Sequence, residues 1–142
     1  MTKLDLSNPM PLMQSIQRVL QKNIDTTDKL TEVMHELSMF FKSDLAVSYI
    51  SIDDNYLELF SAYGIPLSDE MTSIRFGDGL IGEIALKEQV LSQTLKDAPL
   101  SSIIGAPLIQ WDKVTGVVLL GYVKPHIFDD LEIDALKTIA MF

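Results

Sequence analysis

The stretch Arg75-Phe76-Gly77-Asp78-Gly79-Leu80-Ile81-Gly82-Glu83-Ile84-Ala85 constrains this chain more than any other. It carries three glycines in six positions, between a β-like segment and a short helix-like one. Glycine there lets the backbone turn sharply and approach a neighbour closely. Two helices and a hairpin precede it, and a hairpin closed by a helix follows. A turn in the middle of such a topology is where a ligand pocket opens.

The pattern on either side reads in order. Residues 1–9 form a polar leader ending at Asn8-Pro9. Leu12, Met13, Ile16, Val19 and Leu20 recur at helical spacing, predicting an amphipathic helix that Asn23-Ile24-Asp25 breaks. A second helix starts at Asp25 or Thr26, carries Leu30, Val33, Met34, Leu37, Phe40 and Phe41 on one stripe, and ends at Ser43-Asp44. Leu45–Ile52 reads as a strand covered on both faces, since it lacks clean alternation. Asp53-Asp54-Asn55 turns it into Tyr56–Tyr63. Gly64-Ile65-Pro66 breaks the chain again, and Met71–Phe76 is a third strand. Leu80–Glu88 is a short helix and Val90–Thr94 a short strand. Ile103–Trp111 and Val114–Val123 form the last hairpin, turning at Asp112-Lys113. Asp129 caps the final helix, with Glu132 placed for a capping box. The order α-α-β-β-β-α-β-β-β-α predicts an α+β domain: a six-stranded antiparallel sheet with helices on one side. Residues 10–142 are expected to be one domain, and a helical pattern still running at Phe142 suggests a longer parent protein.

Composition narrows the chemistry. The 142 residues carry a net charge of −9, with no basic run, which argues against nucleic acid and anionic membranes. There is no cysteine, which excludes disulfides, thiol catalysis and any cofactor attached through a thiol. The longest apolar run, around Val117–Leu120, is too short to span a bilayer, and the N-terminus lacks a signal-peptide core. The cytoplasm is the expected compartment, and no cofactor is expected.

No catalytic set emerges. His35 and His126 both read as solvated surface residues. His126 with Asp129 and Asp130 is the densest metal-like cluster, but its spacing matches no metal motif. The pairs Asp53-Asp54, Asp69-Glu70 and Asp129-Asp130 fall at turns or a helix start, where Asp serves local hydrogen bonding. The glycine stretch has Gly-x-Gly-x-x-Gly spacing but no Lys-Ser/Thr ending, and the hairpin-rich order lacks the parallel βαβ unit of a dinucleotide fold. It reads either as a tight packing turn or as a pocket wall whose helix-start N–H groups meet an anion. Arg75 is the best contact for a carboxylate ligand, or else a surface ion-pair residue. Tyr49, Phe60, Tyr63 and Phe76 line a cavity or belong to the core, and Ser61, Ser101 and Ser102 offer hydroxyls.

Four features together resemble a GAF domain, a small-molecule-sensing relative of PAS domains. They are the Leu45–Ile52 strand after a long helix, the turn Phe76-Gly77-Asp78-Gly79-Leu80-Ile81-Gly82, the hairpin Ile104-Gly105-Ala106-Pro107-Leu108-Ile109 with Thr115-Gly116-Val117-Val118, and Phe128-Asp129-Asp130-Leu131-Glu132 with Leu136 and Ala140. Within the family, Asp134–Met141 and Leu57–Gly64 are similar to the GAF domain that begins nitrogen-branch phosphoenolpyruvate-protein phosphotransferases. The loop from Lys96 to Ser102, which normally helps cover the pocket, is several residues shorter than that pattern. The resemblance implies a regulatory domain that senses nitrogen status, with glutamine as effector and a downstream phosphotransferase as output. The expected ligand site is Tyr49, Phe60, Ser61, Arg75, Phe76, Gly79, Leu80, Ile81, Ser102 and Ile104. Surplus apolar positions at Met10, Met13, Met141 and Phe142 suggest a homodimer through the terminal helices. The alternatives are the sensor domain of a histidine kinase or transcription regulator, and a ligand-free dimerisation module.

Overall fold

A computed structural model describes residues 9–21, 26–64, 72–95 and 100–140. Its elements are α1 (Met10–Leu20), α2 (Thr26–Phe41), β1 (Leu45–Ile52), β2 (Tyr56–Gly64), β3 (Ser73–Arg75), α3 (Gly79–Lys87), β4 (Leu91–Thr94), β5 (Ser102–Gln110), β6 (Lys113–Tyr122) and α4 (Asp130–Ala140). The six strands form one sheet in the order β3-β2-β1-β6-β5-β4, antiparallel at every pairing. The α+β architecture expected from the sequence is therefore present.

Helices cover both faces, not one. Leu12, Ile16 and Val19 of α1, Val33, Met34 and Leu37 of α2, and Leu136 and Ile139 of α4 pack with Ala46, Ile104, Ala106, Val118 and Leu120. On the other face Ile81, Ile84 and Ala85 of α3 pack with Leu45, Val47, Tyr49, Ile103, Val117 and Leu119. The reason is topological. β3 and β4 are the two outer strands, and α3 connects them, so it must cross the sheet. With α1, α2 and α4 on one face, α3 takes the other. β1 is accordingly buried from Leu45 through Tyr49 without alternation.

The turns carry the conformations their residues favour. Asp53 and Asp54 both adopt positive φ in the β1–β2 turn, as do Trp111 and Asp112 in the β5–β6 turn. The latter two residues form the hairpin loop, one position earlier than Asp112-Lys113, and two positive φ values give the twist that suits a two-residue hairpin. Lys42, at φ 55, closes α2, and the Ser43 N–H donates to the Ser38 carbonyl at 3.0 Å. The helix-breaking positions Asn23-Ile24-Asp25 and Ile65-Pro66, the start of the third strand at Met71, and Met141 and Phe142 lie outside the described residues. Met13 packs on the core, while Met10 is exposed.

α4 is rooted by the expected capping box. The Glu132 N–H donates to Asp129 Oδ1 at 2.8 Å, and the Asp129 N–H to Glu132 Oε1 at 3.4 Å. His126 is not a solvated surface residue. Its ring stacks on Tyr122 at 4.3 Å, and its Nε2 lies 2.6 Å from Oε2 of the buried Glu132. Tyr122 in turn donates its hydroxyl to the Phe41 carbonyl at 2.8 Å, tying the end of α2 to the root of α4. His35 is exposed, with its ring 4.6 Å from that of Tyr63.

Removing the cap with Asp129→Ala is expected to cost about 1 kcal/mol in urea unfolding. The alkaline limit of the fold follows from two tyrosines. Burial pushes the Tyr49 hydroxyl up to about 12. Burial, then the Glu132 and Asp44 carboxylates, push Tyr122 up as well. A raised folded value means that the unfolded chain ionises first. The stabilisation is whole below about pH 10, where unfolded tyrosine titrates, and is lost above it. Urea midpoints should fall from about pH 10 upward, and Tyr49→Phe should make that fall shallower.

Candidate functional site

The glycine stretch builds one wall of a cavity on the α3 face. After β3 the chain closes a tight turn: the Asp78 N–H donates to the Arg75 carbonyl at 3.0 Å, and the Gly77 N–H to the Gly82 carbonyl at 2.8 Å. The three glycines have different duties. Gly77 sits at φ 92, which favours glycine. A Cβ on Gly82 would lie 2.4 Å from the Arg75 carbonyl oxygen, so that position admits α3 only as glycine. Gly79, at φ 61, opens α3, and a Cβ there would meet nothing within 4 Å. It alone of the three faces the cavity.

That cavity has a volume of about 480 Å³ and lies between β3, the start of α3 and the β4–β5 edge. Its apolar lining is Ile74, Leu80, Ile81, Leu95 and Ile103, and its polar lining is Ser73, Arg75, Asp78 and Gln93. Asp78 is the N-cap of α3 by position but makes no side-chain cap bond, which leaves its carboxylate to the cavity. The first-turn N–H groups of α3, at Gly79, Leu80 and Ile81, have no carbonyl four residues back within the helix. Arg75 is held at the rim by Tyr56: its Nη2 donates to the Tyr56 hydroxyl at 3.4 Å, and its guanidinium carbon lies 5.7 Å from the ring centroid. A guanidinium presents five N–H donors, so this contact leaves most of the fork available. Arg75 also borders a more polar groove with Asp54, Asn55, Tyr56, Phe76 and Leu86.

The structure brings together four of the ten expected site residues, Arg75, Gly79, Leu80 and Ile81. Phe76 lies beside them on the neighbouring groove and packs against the α3-side core. Tyr49 is on the same face but wholly buried in the core beneath α3. Phe60 is the extra residue of a bulge, between the pairs Tyr49–Leu59 and Ser48–Ser61. Three residues belong elsewhere. Ser61 is buried against Ser48, with the hydroxyls 2.6 Å apart. Ser102 accepts a hydrogen bond from the His126 N–H at 3.0 Å. Ile104 packs in the α1, α2 and α4 cluster. Strand parity separates Ile104 from the cavity: adjacent strand residues face opposite sides, and Ile103 is the one that packs on the α3 side. Ser73, Ile74, Asp78, Gln93 and Leu95 also line the cavity and were not among the ten. Asp78 sat inside the glycine motif, and Gln93 pairs directly with Ile103 across β4–β5.

Other chemistry finds little support. Among the described residues the sheet contains no parallel pair, so the glycine spacing lies outside any described βαβ unit of the dinucleotide-binding kind. Among the described residues, no three His, Asp or Glu side chains gather as metal ligands. No described helix is long and apolar enough to cross a membrane.

The chain belongs to the GAF domain family, whose sequence pattern it matches over residues 24–141. Its fold is similar to the GAF domain of a phosphoenolpyruvate-protein phosphotransferase from Coxiella burnetii, with a TM-score of 0.79 at 20% identity over 96% of this chain and 90% of that one. It is also similar to the corresponding Acinetobacter GAF domain, with a TM-score of 0.75 at 19% identity over 92% and 89% of the two chains. The free methionine-R-sulfoxide reductase of Neisseria meningitidis, solved with its substrate, has the same fold, with a TM-score of 0.79 at 20% identity over 98% and 88%. These likenesses are of fold. A search among curated proteins found no match.

The glycines give a direct test of the turn. Gly82→Ala is expected to destabilise by about 1–3 kcal/mol, because the added methyl meets backbone. Gly79→Ala should cost about 1–2 kcal/mol, from its left-handed backbone alone. Urea titration of both variants measures the difference.

Proposed function

We infer that the chain is a regulatory sensor domain, that its effector site is the α3-face cavity, and that its effector is amino-acid-like. One observation carries this reading: Arg75 and Asp78 both line a cavity whose remaining lining is largely apolar. A guanidinium suits an α-carboxylate and a carboxylate suits an α-ammonium, so the pair fits a zwitterion. Gln93 adds an amide able to donate to, and accept from, a side-chain amide. Glutamine, the effector implied by the resemblance to nitrogen-branch phosphotransferases, has that set of groups. Arg75, Asp78, Gly79, Leu80, Ile81, Gln93 and Ile103 are the proposed ligand contacts.

Residues 10–142 act in this reading as one unit in a bacterial cytoplasmic protein, passing occupancy to a downstream phosphotransferase domain. Occupancy acts by favouring one arrangement of α3 and the sheet, which requires unequal affinity for two states. The domain itself is proposed to be non-catalytic. Sulfoxide reduction, the activity of one group of structural neighbours, takes two electrons, and a chain without cysteine has no thiol to supply them.

Thermal unfolding with glutamine, 2-oxoglutarate and cyclic nucleotides tests the reading. Glutamine should raise Tm, and ligand at 100 times its Kd should add about 2.7 kcal/mol. Arg75→Ala should abolish the shift while leaving the Tm of the free protein nearly unchanged, because Arg75 is exposed. No response to any of the compounds would favour a ligand-free dimerisation module instead.

A further inference from the structure

The single tryptophan of the chain stands at the tip of the β5–β6 hairpin, 98% exposed. Its backbone has φ 54, a conformation that a bulky residue adopts at a cost and that Asn or Gly would take freely. Nothing in the fold uses this ring. A second feature lies close to it on the same surface. β4 pairs with β5 only from Ser102 to Gly105, and beyond that point the outer edge of β5 has no strand partner among the described residues. Beside this edge is a groove of about 460 Å³, with Val90, Ile104, Ala106, Ile109 and Ile133 in its lining and Glu88 and Lys137 among its polar residues. It is separate from the α3-face cavity and shares no residue with it.

We propose that the groove receives Trp111 of a second copy of this chain, and that the two copies exchange tryptophans across a two-fold axis. The geometry is self-complementary, as such an axis requires. Trp111 lies three residues beyond Leu108 along β5, and Gly105 lies three residues before it. Gly105 pairs with Leu91 at the start of β4, next to groove residues Glu88, Gln89 and Val90. An axis through the free edge near Leu108 therefore brings each Trp111 to the other copy's groove. Pro107 lacks an N–H, so the contact is made by side chains and not by an extended strand ladder. One opposite-charge pairing is available. Asp112 follows Trp111 in the turn, and Lys137 stands at the groove; among the described residues neither has an ion pair. Glu88 in the same groove would repel Asp112, so the proposed docking has Asp112 approach Lys137. Two inserted indoles bury about 300–500 Å² by themselves. Stable interfaces need roughly 1,000 Å², so the dimer is weak and depends on concentration. It places α4 at the interface through Ile133, Lys137 and Ala140. The inference does not rest on any effector occupying the α3-face cavity.

The lone tryptophan makes its own reporter. Emission under selective tryptophan excitation, measured beside sedimentation equilibrium from about 1 µM to about 1 mM, should move to shorter wavelength in step with dimer formation. Lys137→Glu should weaken the dimer on the order of ten-fold or more and hold the emission at its exposed position. Adding Asp112→Lys to that variant should restore both, since each copy then carries the reversed pair. Circular dichroism of each variant checks that the fold is intact. A monomer throughout the range would overturn the proposal. So would a dimer whose tryptophan emission stays at the water-exposed position, or a Lys137→Glu variant that is folded and associates as the natural chain does.

Discussion

The burial of the first five residues of β1 on both faces organises the molecule. Leu45 through Tyr49 are inaccessible to solvent on both faces, between β2 and β6, and the neighbouring strands approach them without side chains where contact is closest. A Cβ on Gly116 would sit 2.2 Å from the Tyr49 carbonyl oxygen, and one on Gly64 would sit 2.1 Å from that of Asp44. A strand buried on both faces demands cover on both, and burial of its valine, leucine and tyrosine side chains is a main source of stability. Four helices meet that demand unequally. Of the described helices, three share one face, and the nine-residue α3 is on the other.

That inequality places the candidate site. Among the described residues one short helix covers only part of that face, and the cavity lies beside the N-terminus of α3. Gly77 and Gly82 make the turn that brings α3 onto the sheet, and Gly79 leaves its first turn open. The opposite face is knit together where α2 and α4 meet. There the Tyr122 hydroxyl bonds the end of α2, while its ring stacks on His126, which pairs with Glu132 at the root of α4. A change at α3 reaches this junction through the sheet itself, because β5 and β6 present alternate residues to both clusters.

Much of this was legible in the residues. Helical periodicity located α1 and α2, Asp129 with Glu132 announced the α4 cap, and the glycine motif marked the cavity wall. What escaped was whatever depends on which face a residue takes. Leu45–Ile52 has no alternation to reveal parity, so the placement of helices on both faces followed only from strand order. Ile103 and Ile104 are chemically interchangeable in sequence, yet one faces α3 and the other α4. Ser61 and Ser102 looked like ligand hydroxyls, and both are spent on internal hydrogen bonds. His126 read as solvent-facing because its partners, Tyr122 and Glu132, become neighbours only after β6 and α4 have folded together.

The central claim is that an amino-acid-like effector enters on the α3 face. Backbone amide chemical shifts recorded while glutamine is titrated into the labelled protein test it residue by residue. The account predicts saturable shifts concentrated at Ile74, Gly79, Leu80, Ile81, Gln93, Leu95 and Ile103. Shifts that centre instead on the α4 face, at Ser92, Ala106 and Ile133, or no saturable shifts at all, would contradict it.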